Sequence, residues 1–150
     1  MKTSKVSEWM SRDVITVQPN TTLPEAHAIM RNLGIRRLPI VDTQEHLVGI
    51  ITLGDIRGAE ASPATTLSIW ELNYLIAKLK VKEIMTKDPL TVRPDTTIGE
   101  AAMMMHENKV GGLPVIDEMG KLIGIITESD IFEMVVLHEW RSRDQELAST

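Results

Sequence analysis

The chain has 150 residues, a formal net charge of −5 with histidines neutral, and no cysteine; 43% of it is hydrophobic and 25% charged. That is the composition of an ordinary globular chain, and one this long removes about 70% of its unfolded surface from water, enough for a core without staples. The missing cysteines exclude a disulfide framework, thiolate zinc sites and a Cys nucleophile, and the acidic balance argues against wholesale binding to nucleic-acid phosphates.

The opening stretch, MKTSKVSEWMSRD, lacks the apolar region of a signal peptide, so a cytoplasmic protein is expected. No apolar run approaches the roughly 18 residues of a membrane span. A short apolar strand is expected over 15–17, followed by Pro19 and a polar stretch. Thr22 and Glu25 have the Thr-x-x-Glu spacing of a capping box, and the helix behind them is expected to bury Leu23, Ala26, Ile29, Met30 and Leu33. Two β-branched runs, 38–41 and 47–51, flank a polar turn, and Thr52 opens a second helix.

The same order then recurs at an offset of 75 residues. Met10 falls on Met85, Glu25-Ala26 on Glu100-Ala101, Met30 on Met105, Leu38-Pro39 on Leu113-Pro114, and Gly49-Ile50-Ile51-Thr52 on Gly124-Ile125-Ile126-Thr127. From Val6/Val81 to Ile56/Ile131, 22 of 51 positions are identical without an insertion. The chain is therefore a duplication, with a strand expected over 90–92, a helix carrying Ile98, Ala101, Ala102 and Met105, and strands at 113–116 and 122–126. β-α-β-β-α twice is an α/β layer architecture, with two helices on a three-stranded sheet per repeat. The repeats are placed at 6–57 and 81–138. Between them a linker, 58–80, contains a helix over 67–79 capped by Thr66, with Ile69, Leu72, Leu75, Ile76 and Leu79 on one stripe; a polar tail follows over 139–150.

Several motifs bear on chemistry. Thr52 with Asp55 and Thr127 with Asp130 sit at the starts of the second helices, where a threonine hydroxyl and free N–H groups suit a phosphate and a carboxylate accepts both hydroxyls of a ribose. The same spacing also satisfies orphan amides as a capping box, and one aspartate can do both. Arg36 and Arg37 are planar donors suited to phosphate, whereas their counterparts Gly111 and Gly112 supply room and bare backbone. Position 53 is not equivalent to its match: Leu53 stands against Glu128. The methionine run 103–105 reads as core. His27, His46, His106 and His138 lack ligand spacing, so no metal is expected, and no nucleophile elbow or poised base suggests an enzyme. Ile131, Phe132, Val135 and Val136, together with Ile56, read as a dimer face.

The strings Met10…Thr16-Val17, Glu25-Ala26…Met30, Leu38-Pro39-Ile40-Val41-Asp42 and Leu47-Val48-Gly49-Ile50-Ile51-Thr52…Asp55-Ile56, each recurring in the second repeat, resemble cystathionine-β-synthase (CBS) domains, and the tandem resembles a Bateman module. The resemblance implies two repeats related by a pseudo-twofold axis, clefts between them, and often a homodimeric disc. It also implies a non-enzymatic regulatory role: binding AMP, ADP, ATP or S-adenosylmethionine as a regulatory ligand, with no obligatory cofactor, and signalling to a separate partner. By the family's pattern Ile15, Thr16, Arg36, Arg37, Leu38 and Pro39 share one cleft with Thr127 and Asp130. Leu90, Thr91, Val110, Gly111, Gly112, Leu113 and Pro114 share the other with Thr52 and Asp55. The Arg-bearing cleft is expected to prefer phosphorylated ligands. The alternative is a ligand-free scaffold that uses the duplicated fold only for protein–protein contact.

Overall fold

The structure is a computed structural model that describes residues 3–61 and 68–140. The elements run α1 (Val6–Trp9), α2 (Leu23–Leu33), β1 (Arg37–Val41), β2 (Leu47–Thr52), α3 (Leu53–Ala61), α4 (Ile69–Lys78), α5 (Val81–Ile84), β3 (Thr86–Lys87), α6 (Ile98–Asn108), β4 (Gly112–Ile116), β5 (Leu122–Thr127) and α7 (Glu128–Val135), whose last turn widens into a π-helical turn, Val136–Trp140. The mixed helices and small sheets agree with the α/β reading. Among the described residues no helix is long and apolar enough to cross a membrane.

The longest helices form where the capping signals stand. At α2 the Thr22 hydroxyl accepts from the Glu25 amide at 3.3 Å, and the Glu25 carboxylate accepts from the Thr22 amide at 3.1 Å. Thr97 and Glu100 repeat the exchange at α6. Both helices stop in a left-handed residue, Gly34 at φ +66° and Lys109 at φ +55°. The α2 face bearing Leu23, Ala26 and Met30 is buried, each larger side chain contributing about 1.5–3 kcal/mol. Ile29 lies half-buried against that core, and Leu33, expected inside, is 54% exposed because it ends the helix beyond the last covered turn.

Each hairpin is an antiparallel pair in the same register, Arg37 opposite Thr52 and Gly112 opposite Thr127, with a bulge at the same place, 40/41 and 115/116. The short first strands over 15–17 and 90–92 shrink to one parallel bridge each, Val17 to Ile40 and Val92 to Val115. Pro19 and Pro94, two residues on, have no N–H to extend the pairing.

By contact density the chain divides into two units that are not the sequence repeats: Ile15–Pro89, and Met1–Val14 with Leu90–Thr150. The opening segment of each repeat is exchanged onto the hairpin of the other. Thr86–Lys87 pairs with Gly49–Ile50 as a third strand, while Ser11 bridges Ile125 through two hydrogen bonds of 2.9 and 3.0 Å. The exchanged openers also supply the first amides of the long helices with acceptors: Leu23 donates to the Leu79 carbonyl (2.8 Å) and Ile98 to that of Ser4 (2.9 Å). Gly124 is where Met10 crosses the strand; a Cβ there would lie 2.6 Å from the Met10 thioether sulfur and 3.0 Å from the Ser11 carbonyl. Gly49 meets Met85 and Thr86 in the same way. Val6 and Met10 accordingly belong to the core holding Leu113, Val115 and Ile126, and Val81 to the core holding Leu38, Ile40 and Ile51.

Between the repeats, α3 runs through Gly58 to Ala61, where a linker was expected to begin. The next helix starts at Ile69 with Ser68 as its cap (3.2 Å to the Glu71 amide). Thr66 and Leu67, the expected start, lie outside the described residues, as does the tail beyond Trp140.

Candidate ligand site

In the unit Ile15–Pro89, three separate segments converge at one end of the hairpin. Arg37 and Thr52 are cross-strand partners, so the end of β2 and the start of β1 lie side by side. The first amide of α3, on Leu53, donates to the Arg36 carbonyl at 2.8 Å, tying the helix start to the residue before β1. Val17 then joins the other edge, donating to the Pro39 carbonyl at 3.1 Å. Ile15, Thr16, Arg36, Arg37, Thr52 and Asp55 are thus carried by adjacent strands and the helix start of one unit, whereas the family's pattern was expected to set the first four against Thr127 and Asp130. The other unit repeats the construction, with Gly112 opposite Thr127, the Glu128 amide on the Gly111 carbonyl (3.1 Å) and Val92 on the Pro114 carbonyl (3.0 Å). These backbone ties between position 36 or 111 and the helix start had no counterpart in the sequence reading, because a main-chain hydrogen bond imposes no residue type.

The aspartates serve as capping residues. Asp55 Oδ2 accepts from the Thr52 amide at 2.9 Å, and the Asp55 amide donates to the Thr52 hydroxyl at 3.1 Å. In the second repeat Asp130 Oδ2 accepts from the Thr127 amide at 2.8 Å and from its hydroxyl at 3.2 Å. Both aspartates and both threonines are half-buried. In each aspartate the other oxygen, Oδ1, has no hydrogen-bond partner among the described residues. The capping interaction therefore leaves one carboxylate oxygen of each aspartate unused at the helix start.

The remaining expected site residues divide by burial. Ile15 and Leu90 are both 43% exposed, an apolar surface at matched positions across the first hairpin strand from the helix starts. Arg36 is exposed, and Arg37, Thr16, Thr91, Val110 and Gly111 are half-buried. Leu38, Pro39, Leu113 and Pro114, expected to line a ligand, are buried with Gly112. Leu38 and Leu113 are core side chains, because the β1 and β4 faces they occupy pack under α2 and α6. A further correction concerns the expected dimer face. Ile56 is fully buried, since α3 turns it into the core with Val17 and Val81, while the matching Ile131 is only half-buried. Phe132 (68%), Val135 and Val136 remain exposed. The signal was in the sequence: α3 carries Arg57 and Glu60 where α7 has Phe132 and Val135, so its apolar side chain had only one way to face.

Among the described residues no cluster of histidine and carboxylate groups could hold a metal ion. Chemically the two helix starts offer hydroxyl and carboxylate acceptors beside an apolar step, with arginines added in the first repeat only.

A family model described as CBS domain matches residues 6–62 and 81–137. Among curated proteins, a CBS domain-containing protein of Dictyostelium discoideum is 37% identical over 131 residues, covering 87% of this chain and 90% of that one. An inosine-5′-monophosphate dehydrogenase of Korarchaeum cryptofilum is 39% identical over 142 residues, covering 95% of this chain but only 26% of the enzyme. The chain thus spans about a quarter of the length of that relative. Among solved structures, the CBS domain pair of protein MJ0100 in complex with 5′-methylthioadenosine and S-adenosyl-L-methionine superposes with a TM-score of 0.75 at 32% identity, covering 87% of this chain and 94% of that one. CBSX2 in complex with AMP gives a TM-score of 0.77 at 30% identity, covering 91% of this chain and 98% of that one.

Proposed function

The chain belongs to the CBS domain family as a tandem pair, and from that premise we propose that it is a non-enzymatic sensor that binds an adenosine-containing ligand at the helix starts of its repeats. The observation that carries this reading is the free Oδ1 of Asp55 and Asp130, with the exposed Ile15 and Leu90 at the same end of each hairpin, across the intervening strand. A carboxylate fixed through one oxygen accepts from a ribose diol with the other, without unmaking its cap, and an exposed aliphatic side chain gives the adenine a surface to lie on. The reading is supported by the relatives solved with AMP and with S-adenosyl-L-methionine, whose names state those ligands for those proteins.

In this reading Arg36 and Arg37 give the first repeat a planar, bidentate anchor for phosphate. Gly111 and Gly112 give the second repeat space without charge, and Glu128 at its helix start disfavours an anion. The regulatory mechanism is linkage: a ligand shifts the chain between arrangements only by its differential affinity for them, and a partner protein reads the outcome. A ligand-free scaffold is the competing reading, favoured by the capping work that Thr52, Asp55, Thr127 and Asp130 do without any ligand.

Melting the chain alone and with AMP, ADP, ATP or S-adenosylmethionine separates the two. A ligand at 100 times its Kd adds about 2.7 kcal/mol and several degrees of Tm. In Arg36→Ala/Arg37→Ala the affinity for phosphorylated ligands should fall at least tenfold, with S-adenosylmethionine less affected. No shift with any ligand, in a chain that still melts cooperatively, supports the scaffold.

A further inference from the structure

The two openers differ in charge where they meet the hairpins. In the unit Ile15–Pro89, Lys82, Glu83, Met85 and Lys87 line, with Pro19 and Val48, a shallow open cavity of about 920 Å³. Pro19, Val48 and Met85 are half-buried and supply its apolar part, while Lys82 and Lys87 are exposed. Neither ammonium has an ion-pair or hydrogen-bond partner among the described residues. The carboxylate lining the cavity is already engaged, since Glu83 Oε2 accepts from the Lys80 amide at 2.8 Å.

The other unit uses the equivalent positions on itself. Ser7 stands in place of Lys82 and Arg12 in place of Lys87, and the Arg12 guanidinium donates to the Ser7 carbonyl at 3.3 Å. That opener is capped in the same way, with Glu8 Oε2 accepting from the Lys5 amide at 2.9 Å. Building an opener therefore calls for the glutamate and for neither lysine. Two unpaired ammoniums beside an apolar surface, on a chain whose net charge is −5, form a local focus for negative charge.

We propose that this face of α5 and β3 docks an acidic, partly apolar segment of a partner protein, with two carboxylates on Lys82 and Lys87 and an apolar side chain over Val48 and Met85. β3 is the edge of its sheet, which gives an extended segment a strand to lie along. A nucleic acid fits less well, because phosphate binding gains from many cations and no aromatic side chain lines the cavity for a base to stack on. A free inorganic anion would use the lysines and leave the apolar part in water. Exposed ion pairs contribute little each, so the contact is weak and salt-dependent. Val48 lies near the start of β2 and Thr52 at its end, so this surface is separate from the helix start, and the inference goes beyond the ligand reading without resting on it.

Fluorescence polarisation with the whole chain, free of added nucleotide, and a fluorescein-labelled peptide of alternating glutamate and leucine tests the proposal. Saturable binding at low salt should weaken roughly tenfold or more in Lys82→Glu/Lys87→Glu. Lys5→Glu/Lys121→Glu, the same change of charge in the other unit, should leave the Kd within about threefold of the original. Peptides with glutamine for glutamate, or with serine for leucine, should each bind roughly tenfold more weakly or worse. All four lysines are exposed, and an unchanged Tm confirms that folding is intact. No binding of the acidic peptide overturns the proposal, as does binding that the Lys82/Lys87 reversal leaves unchanged or that the reversal in the other unit weakens equally. Equal binding of the serine peptide also overturns it. So does tighter binding of inorganic polyphosphate or a single-stranded oligonucleotide at Lys82 and Lys87, which would make the surface a polyanion site.

Discussion

Lys109 occupies a backbone position that its counterpart gives to glycine. Gly34 ends α2 at φ +66° and Lys109 ends α6 at φ +55°, in the left-handed region that costs a side-chain-bearing residue about 1 kcal/mol or more. The hairpin turns show the reverse arrangement, Glu45 at φ +66° in the first repeat and Gly120 at φ +81° in the second. Each repeat therefore contains the other's remedy. Lys109→Gly and Glu45→Gly should each raise stability in urea by about 0.5–1 kcal/mol; a loss at either site would show that the side chain makes up for its backbone. At this scale the sequence was readable wherever a residue type answers to one physical demand, as the Thr-x-x-Glu caps do. It was silent where the main chain does the work, as in the Leu53–Arg36 tie, and ambiguous at Asp55 and Asp130, where cap and ligand acceptor ask for the same residue.

The hairpin is the element with the clearest electrostatic signature. Asp42 Oδ1 accepts from the amides of Gln44 (2.9 Å) and His46 (3.0 Å), and Asp117 Oδ1 from those of Met119 (2.8 Å) and Lys121 (3.0 Å). The His46 amide in the first turn and the Lys121 amide in the second are the main reasons both carboxyls are held below the ordinary carboxylate value. A depressed folded-state pKa means stability that is present above the unfolded value of about 3.8 and lost as the pH falls through the folded one. Asp117→Asn should therefore melt below the parent at pH 7, and the gap should close as the pH is lowered through the carboxylate range. A gap constant with pH would leave the aspartate a turn former without an electrostatic part. The hairpins themselves were legible from their β-branched runs. The four-residue openers α1 and α5 were not, because one turn of helix carries no periodicity to read. Their importance showed only as identities, Val6 with Val81 and Met10 with Met85.

At the scale of the whole chain, duplication was plain in the sequence, but the exchange of openers between repeats was not. Alignment shows which residues correspond, never which copy they pack on. The exchange makes a test possible in which cause and effect lie in different repeats. Met10→Ala removes a side chain from the core of Leu113, Val115 and Ile126, at a cost of about 2–5 kcal/mol. Hydrogen exchange should accelerate in the second repeat's hairpin, 112–127, before that of the first, 37–52. The opposite order would contradict the exchange. Duplication followed by divergence also accounts for the difference between the two helix starts, since both keep the Thr/Asp pair while only the first repeat carries arginines beside it.

The central claim is that those helix starts hold an adenosine-containing ligand, and titration calorimetry of AMP and S-adenosylmethionine into the chain and into Asp55→Asn and Asp130→Asn tests it most directly. Asparagine still accepts the threonine amide with its one oxygen, so the cap survives and the ligand-free Tm should move little, but it has no second oxygen for a ribose. The account predicts saturable binding to the parent chain that weakens at least tenfold in one or both variants. Heats of dilution alone, or binding that both variants keep unchanged, would contradict it.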